Sequence, residues 1–274
     1  MNWERMLTVA RNDLRQLRQS RDFWAPMLVL AAIFFVVIPT VLLSTITSIG
    51  SVPAVQKVSS ALDLLPSRAE AAVHGTTPAD RTSYALAVYL FAPLAVIVPM
   101  TISTAVGANT LVGEREKGTG EFLAHSPASE REIYLGKLIA SLLPGYLTTL
   151  IGFGVYSLAV NLIVGPHVGG WFFPTPEWWV LMLWVVPPFL AITLSVVLRL
   201  SARVKSAAAA QQASGLVTLP LIVLSYAQSS GALLGAARST GVVLGLVAWL
   251  TAALGLMRGA RAVTRARLLA IDSG

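Results

Sequence analysis

Few residues in this chain are equipped for chemistry, and their positions limit what that chemistry would be. The 274 residues include no cysteine, which removes disulfides, thiolate metal sites and cysteine nucleophiles together. The three histidines, His74, His125 and His167, are scattered over segments placed below on opposite sides of a membrane, so no metal site is expected. Residues 113–118, Gly-Glu-Arg-Glu-Lys-Gly, mimic the first half of a phosphate-binding loop. Such a loop requires lysine directly after its second glycine, between a strand and a helix. Here Thr119 follows Gly118, and an apolar helix precedes the motif. The chain is therefore expected to hold no nucleotide, to need no cofactor of its own and to catalyse no reaction.

The densest polar constellation is the segment Gly113–Lys137, with nine charged side chains. Ser129-Glu130-Arg131-Glu132 has the spacing of a capping box, in which the hydroxyl accepts from the backbone at Glu132 and that carboxylate reaches back. It predicts a helix that runs on into the next apolar segment. Ahead of it, Glu114–Leu123 reads as a short charged helix with Phe122 and Leu123 at an apolar tip and Gly118 permitting close backbone approach. Such a helix lying across a membrane surface is a docking element. A solvated turn between two helices fits the same residues.

The elements that must position this segment are membrane spans. Only 12% of the residues are charged, where a soluble domain carries about a quarter. The apolar runs lie at Pro26–Ile49, Tyr84–Val112, Leu138–Val164, Trp178–Leu198, Ala207–Ala227 and Gly241–Met257. A bilayer core needs about 20 helical residues, so the runs predict an all-α integral membrane protein of six transmembrane helices. Prolines inside five of them (Pro39, Pro93, Pro99, Pro144, Pro187-Pro188 and Pro220) predict kinks, which neighbouring helices can satisfy. Lys and Arg alternate in density between loops. Sixteen of the twenty fall in the N-terminal segment, the loops after the second and fourth spans, and the tail. The positive-inside rule makes these segments cytoplasmic and explains the net charge of +7 without nucleic acid. The chain divides into residues 1–22, a six-helix domain over 23–257 with an outer loop 50–83 and an inner loop 113–137, and a basic tail over 258–274. Both termini face the cytoplasm in a multi-pass plasma-membrane topology. The first run is too long for a cleaved signal.

Several smaller patterns refine this layout. Trp3, Met6, Leu7, Ala10, Leu14 and Leu17 form one helical stripe flanked by Arg11, Arg15 and Arg18. The stripe predicts an amphipathic helix lying on membrane lipid, packing on another subunit, or both. Val55, Val58, Leu62 and Leu65 suggest a short helix over the outer mouth, and Thr77-Pro78-Ala79-Asp80 has the form of a helix start. Trp171, Phe172, Phe173, Trp178 and Trp179 read as an interfacial aromatic belt or as a binding patch. No charged residue or histidine lies well inside a span, which disfavours an ion-coupled carrier. A cargo pathway would then use Ser103, Thr104 and Asn109 on the second span and Gln212, Thr218, Ser225 and Tyr226 on the fifth, residues that serve equally as hydrogen-bonding glue between helices. Gly241, Gly245, Ala248, Ala252, Gly255 and Gly259 are spaced 4-3-4-3-4, a seam of small residues that predicts close packing of the sixth span against another helix.

The run Glu114-Arg115-Glu116-Lys117-Gly118-Thr119, then Pro127, then Gly136-Lys137 at the start of a span, resembles the signature loop of ABC type-2 exporter permeases. Residues 134–144, Tyr-Leu-Gly-Lys-Leu-Ile-Ala-Ser-Leu-Leu-Pro, are similar to the same place in that family, including its eukaryotic G-type members. The resemblance implies a permease that pairs with a second copy or paralogue and with two separate ATPase subunits, which bind ATP and Mg. It implies that Glu114, Arg115, Glu116, Gly118 and Thr119 lie at the ATPase contact; Phe122 and Leu123 join them by position. A secondary transporter or channel, or a non-transporting anchor or sensor, are the rival readings. The segment Gln228–Thr240 is shorter than the re-entrant hairpin common in the family.

Overall fold

The structure, a computed structural model, describes residues 2–49, 73–116, 125–201 and 238–259, with the single positions 55, 118, 121, 123, 204, 209 and 212. Every regular element among the described residues is helical. Helix α1 spans Trp3–Gln19, and Asn2 caps it by accepting from the Glu4 amide. Helix α2 comprises Arg21–Ala32 and Ile38–Ile49 joined through a π-helical turn, Ile33–Val37. Helix α3 (Pro78–Ala85) leads through a second π turn, Leu86–Leu90, into α4 (Leu94–Glu116). Helix α5 is unbroken over Glu130–Ile163, and α6 is a single turn, Gly165–Val168. Helix α7 comprises Pro176–Val180 and Val186–Ser201 around a third π turn, Leu181–Val185; α8 is Arg238–Gly259.

Five helical segments are long and apolar enough to cross a bilayer: Phe23–Ile49, Pro78–Glu114, Glu130–Ile163, Pro176–Ser201 and Gly241–Gly259. The predicted run 207–227 lies outside the described residues, apart from Ala209 and Gln212. Both expected helix starts are present. Thr77 and Asp80 make a reciprocal capping box with Pro78 in the first turn, and Ser129 and Glu132 make another at the head of α5. Of the outer-loop stripe, Val55 is helical and buried, and the other positions lie outside the described residues.

Three of the proline sites coincide with breaks in α-helical geometry, whereas Pro99 and Pro144 lie inside uninterrupted helix and Pro220 lies outside the described residues. A proline ring crowds the carbonyl four residues back and offers it no hydrogen. For Pro39, Pro93 and Pro187 that carbonyl belongs to Phe35, Tyr89 and Leu183, each inside one of the three π turns. Widening the helix there makes room for the ring. At the α3–α4 break Phe91 N–H bonds back to Leu86 and Ala92 N–H to Tyr89, so the Ala87 and Val88 carbonyls lose their helical donors. Tyr156 Oη donates to Ala87 O at 2.6 Å, and Trp178 Nε1 donates to Val88 O at 2.8 Å. Broken backbone inside a bilayer is tolerated because neighbouring side chains close the account in this way.

That use of Trp178 corrects the aromatic-belt reading. Phe173 and Trp178 are fully buried, and Trp178 stacks on Phe153 at 5.6 Å while Phe173 meets Tyr156 edge-on. Asn161 holds the segment in place, accepting from the Phe172 and Phe173 amides and donating to Phe173 O. Only Trp171 and Trp179 remain exposed as belt residues. The cluster is a packed aromatic cap rather than a binding patch.

The small-residue seam of α8 faces α7. Gly241, Gly245, Ala248, Ala252 and Gly259 are buried and Gly255 half-buried, whereas Leu246, Val247 and Leu250 point outward. A Cβ added at Gly245 would run into the Trp184 indole, and one at Gly259 into the Tyr134 hydroxyl. Large residues of α7 and α5 thus fill the volume that the seam leaves empty.

Candidate functional site

The site begins with α1, which lies on the head of α5. Asn2 N–H donates to Glu132 Oε1 at 2.6 Å, and Arg5 Nη1 donates to the Pro127 carbonyl at 2.8 Å. Met6 and Ala10 are buried one turn apart on the same face. A Cβ on Gly136 would stand 2.8 Å from both Met6 O and Val9 Cβ, so only glycine lets the two helices approach this closely. The amphipathic stripe therefore divides. Met6 and Ala10 pack within the chain, while Trp3 and Leu7 stay exposed beside Arg11 and Arg18.

The next turn of the same face carries Asp13, and opposite it on α5 is Lys137, 1% exposed. Lys137 Nζ lies 3.1 Å from Asp13 Oδ2, 3.1 Å from Glu114 Oε1 and 3.2 Å from Thr110 O. An ammonium has three donors, and here each finds an acceptor, one on α1 and two on the end of α4. Two carboxylates against one ammonium leave an excess of one negative charge. Burial raises the Asp13 carboxyl above its ordinary value of 3.8, and the nearby Lys137 charge and hydrogen bond pull it down without cancelling that shift. The joint extends through Ser141, whose hydroxyl donates to Lys137 O at 2.8 Å and meets Thr110 Oγ1 at 3.2 Å. Beside it is a cavity of about 190 Å³ lined by Asp13, Gln16, Asn109, Thr110, Glu114 and Lys137 among others.

These contacts revise the reading of the loop. Glu114 and Glu116 belong to the last turn of α4, and Gly118 follows with φ +71°, a left-handed conformation that stops a helix. The expected continuous helix Glu114–Leu123 is therefore divided at Gly118. Within the chain a Cβ on Gly118 would meet nothing within 4 Å, so its positive φ is what favours glycine there. Glu114 turns inward to Lys137, and Leu123 packs with Ala128, Tyr134 and Leu138 instead of forming an outward tip. Arg115 and Glu116 continue α4 by their backbone, Gly118 is exposed, and Thr119 and Phe122 lie outside the described residues.

The expected pathway residues are also redistributed. Ser103 is fully buried, donates to Leu142 O at 3.4 Å and stands where a Cβ on Gly145 would have to go. Thr104 bonds back to Met100 O at 2.7 Å. Ser103 thus bonds across to α5, and Thr104 bonds within α4. Asn109 does face the cavity, with its amide donating to Ala105 O at 2.9 Å. Gln212 is exposed, and Thr218, Ser225 and Tyr226 lie outside the described residues.

Sequence reasoning missed Asp13, Thr110 and the role of Lys137. A usable signal existed: Lys137 is the last charge before a long apolar run, and Asp13 is one of two acids in the arginine-rich residues 1–21.

Long apolar helices, with an ionic joint at one end of them and a short charged loop beside it, are those of a multi-pass membrane protein. A sequence model of ABC-2 family transporter proteins matches residues 7–251, and the chain belongs to that family as a membrane-spanning permease. No curated protein shows a significant match to the sequence.

Proposed function

We propose that this chain is the permease subunit of an ATP-driven exporter in the plasma membrane, paired with a second permease copy or paralogue and with two ATPase subunits that bind ATP and Mg. Membership of the ABC-2 family carries the reading. The loop 113–137 is the coupling element. Its exposed face is the Gly118 turn, with Arg115, Glu116, Thr119 and Phe122 as candidate contacts. Motion imposed there has a stiff route inward, because Pro127, Glu132, Gly136 and Lys137 tie the head of α5 to α1, and Lys137 ties both to the end of α4. Residues 1–22 lie on the inner membrane surface with Trp3 and Leu7 in lipid. Ser103, Thr104, Asn109, Gln212, Thr218, Ser225 and Tyr226 are the candidates for the cargo pathway.

The ends of the described helices support the reading of six spans. Ser201 Oγ donates to Ala108 O near the end of α4, and Arg199 Nη2 donates to Gly255 O near the end of α8. Helices α4, α7 and α8 therefore finish on the same side, where α5 begins. With α8 about 33 Å long at 1.5 Å per residue, its start lies across the bilayer from Ser201. A sixth crossing between them belongs to this proposal, and the apolar run 207–227 is long enough to supply it.

The test is reconstitution in liposomes with a partner ATPase and a panel of fluorescent amphiphiles. Efflux should require ATP and Mg, and Gly118→Trp should abolish it while the chain still inserts and folds. Efflux driven by the chain alone would assign it to the secondary carriers, and ATPase binding without any efflux would assign it to the anchors.

A further inference from the structure

A groove of about 480 Å³ opens on the outside of the molecule where α1 turns into α2. Its walls include Leu14 and Leu17 of α1, Phe23 and Met27 of α2, and Pro144 of α5; among the described residues its one charged lining residue is Arg18. The groove has a simple origin. Helix α1 meets α5 at Gly136, and the π turn of α2 meets α5 at Gly152, whose missing side chain admits the Phe35 ring. Ser20, with extended backbone, makes the corner between them. Pro144 lies midway along α5 between the two contacts, where α1 and α2 diverge.

The apolar wall continues onto the outer surface of α2 through Trp24 and Leu28, 41% and 52% exposed. On the α1 side Arg11 and Arg18 are two turns apart on one face, next to exposed Leu7. A mainly apolar groove with the cationic Arg18 among its described lining residues is complementary to an amphiphile with an anionic head. A guanidinium fork suits phosphate geometry in particular. We infer that this groove binds one anionic phospholipid of the inner leaflet, with its phosphate on Arg18 and an acyl chain laid between α2 and α5. The inference rests on the interfacial placement of α1 proposed above. Leu17 and Phe23 line both the groove and the cavity that holds Asp13, Glu114 and Lys137. The lipid therefore sits one side chain away from the ionic joint and wedges α1 against it.

The experiment uses the full chain purified in detergent, with dioleoyl phosphatidylglycerol or dioleoyl phosphatidylcholine added and retained lipid counted by native mass spectrometry. Wild type should prefer the phosphatidylglycerol by about fivefold, the value of roughly 1 kcal/mol per basic residue near an anionic surface. Arg18→Gln should erase the preference, Met27→Trp should lower retention of both lipids by filling the groove, and Arg258→Gln at the end of α8 should change nothing. Equal retention of the two lipids by wild type, an unchanged preference in Arg18→Gln, or displacement by glycerol phosphate alone would each overturn the proposal. The readout needs no ATPase, so it is independent of the coupling role. A polarity-sensitive dye on Leu7→Cys separates the remaining premise. A dye in water would remove the interfacial placement and the lipid site together; a dye in lipid without phosphatidylglycerol preference would remove the lipid site alone.

Discussion

Lys137 is tolerable in the interior because all three of its donors are met, and each of its two carboxylate partners is tolerable only because of Lys137. The two kinds of partner are not equivalent. Removing the ammonium, as in Lys137→Met, leaves Asp13 and Glu114 facing each other at 14% exposure with nothing between them. Deleting one side of a buried ion pair costs about 3–5 kcal/mol, so this variant should unfold well below wild type in detergent and expose α1 to protease. Asp13→Asn instead leaves a balanced Lys137–Glu114 pair and should be close to neutral at pH 7. Their pH dependence should differ in sign-specific fashion. A carboxyl whose folded pKa is raised binds its proton more tightly when folded, so folding gains as the pH falls through that raised value, and the gain is complete below 3.8. Wild type should therefore gain stability relative to Asp13→Asn as the pH is lowered from 7 towards 4. A constant difference between their melting temperatures across that range would show that Asp13 is not held in a buried environment. The sequence made Gly136-Lys137 conspicuous but left its partners hidden, because Asp13 and Glu114 lie 124 and 23 positions away and only the docking of α1 brings them together.

Patterns confined to one helix were legible, and those that depend on a neighbour or on one backbone angle were not. The capping boxes at Thr77 and Ser129 and the seam of α8 are functions of spacing alone, and each appears where spacing placed it. The break at Gly118 is a single positive φ inside a segment whose composition suits a helix throughout. Trp178 was misassigned because tryptophan beside a span favours the interface, whereas here the π turn of α3 leaves a carbonyl that needs its indole N–H. The seam yields the cleanest test at this scale. Ala248 is 6% exposed on the face that packs against α7, and its neighbour Val247 is 56% exposed on the opposite face. Ala248→Leu adds volume where none is free, an overpacking worth about 1–3 kcal/mol, and should lower the melting temperature in detergent. Val247→Leu places the same leucine side chain facing outward and should leave it unchanged. Equal effects would mean that α8 does not pack through its small residues.

Across the whole molecule, two independent features point to the same membrane face. One is the distribution of basic residues, which only the sequence as a whole reveals. The other is the convergence of helix ends: α4, α7 and α8 finish, and α5 begins, around a set of side-chain bonds from Lys137, Arg199 and Ser201. The second feature knows nothing of charge bias, yet it gathers Arg5, Arg131, Lys137, Arg199 and Arg258 at one end and leaves Thr76, Arg81 and Trp171 at the other. An ionic joint is also easier to hold at the edge of the hydrocarbon than at its middle, where a lysine costs roughly 2.5–3.5 kcal/mol on insertion scales. The proposed topology puts the Gly118 turn and the α1–α5 joint in the cytoplasm and the aromatic cap outside. Thr76 and Arg131 are both exposed and test it directly. In intact cells a membrane-impermeant maleimide should label Thr76→Cys, and it should label Arg131→Cys only after permeabilisation. Because the chain has no cysteine of its own, each variant reports a single position. Labelling of Arg131→Cys in intact cells would invert the molecule and place the loop 113–137 beyond the reach of any cytoplasmic ATPase.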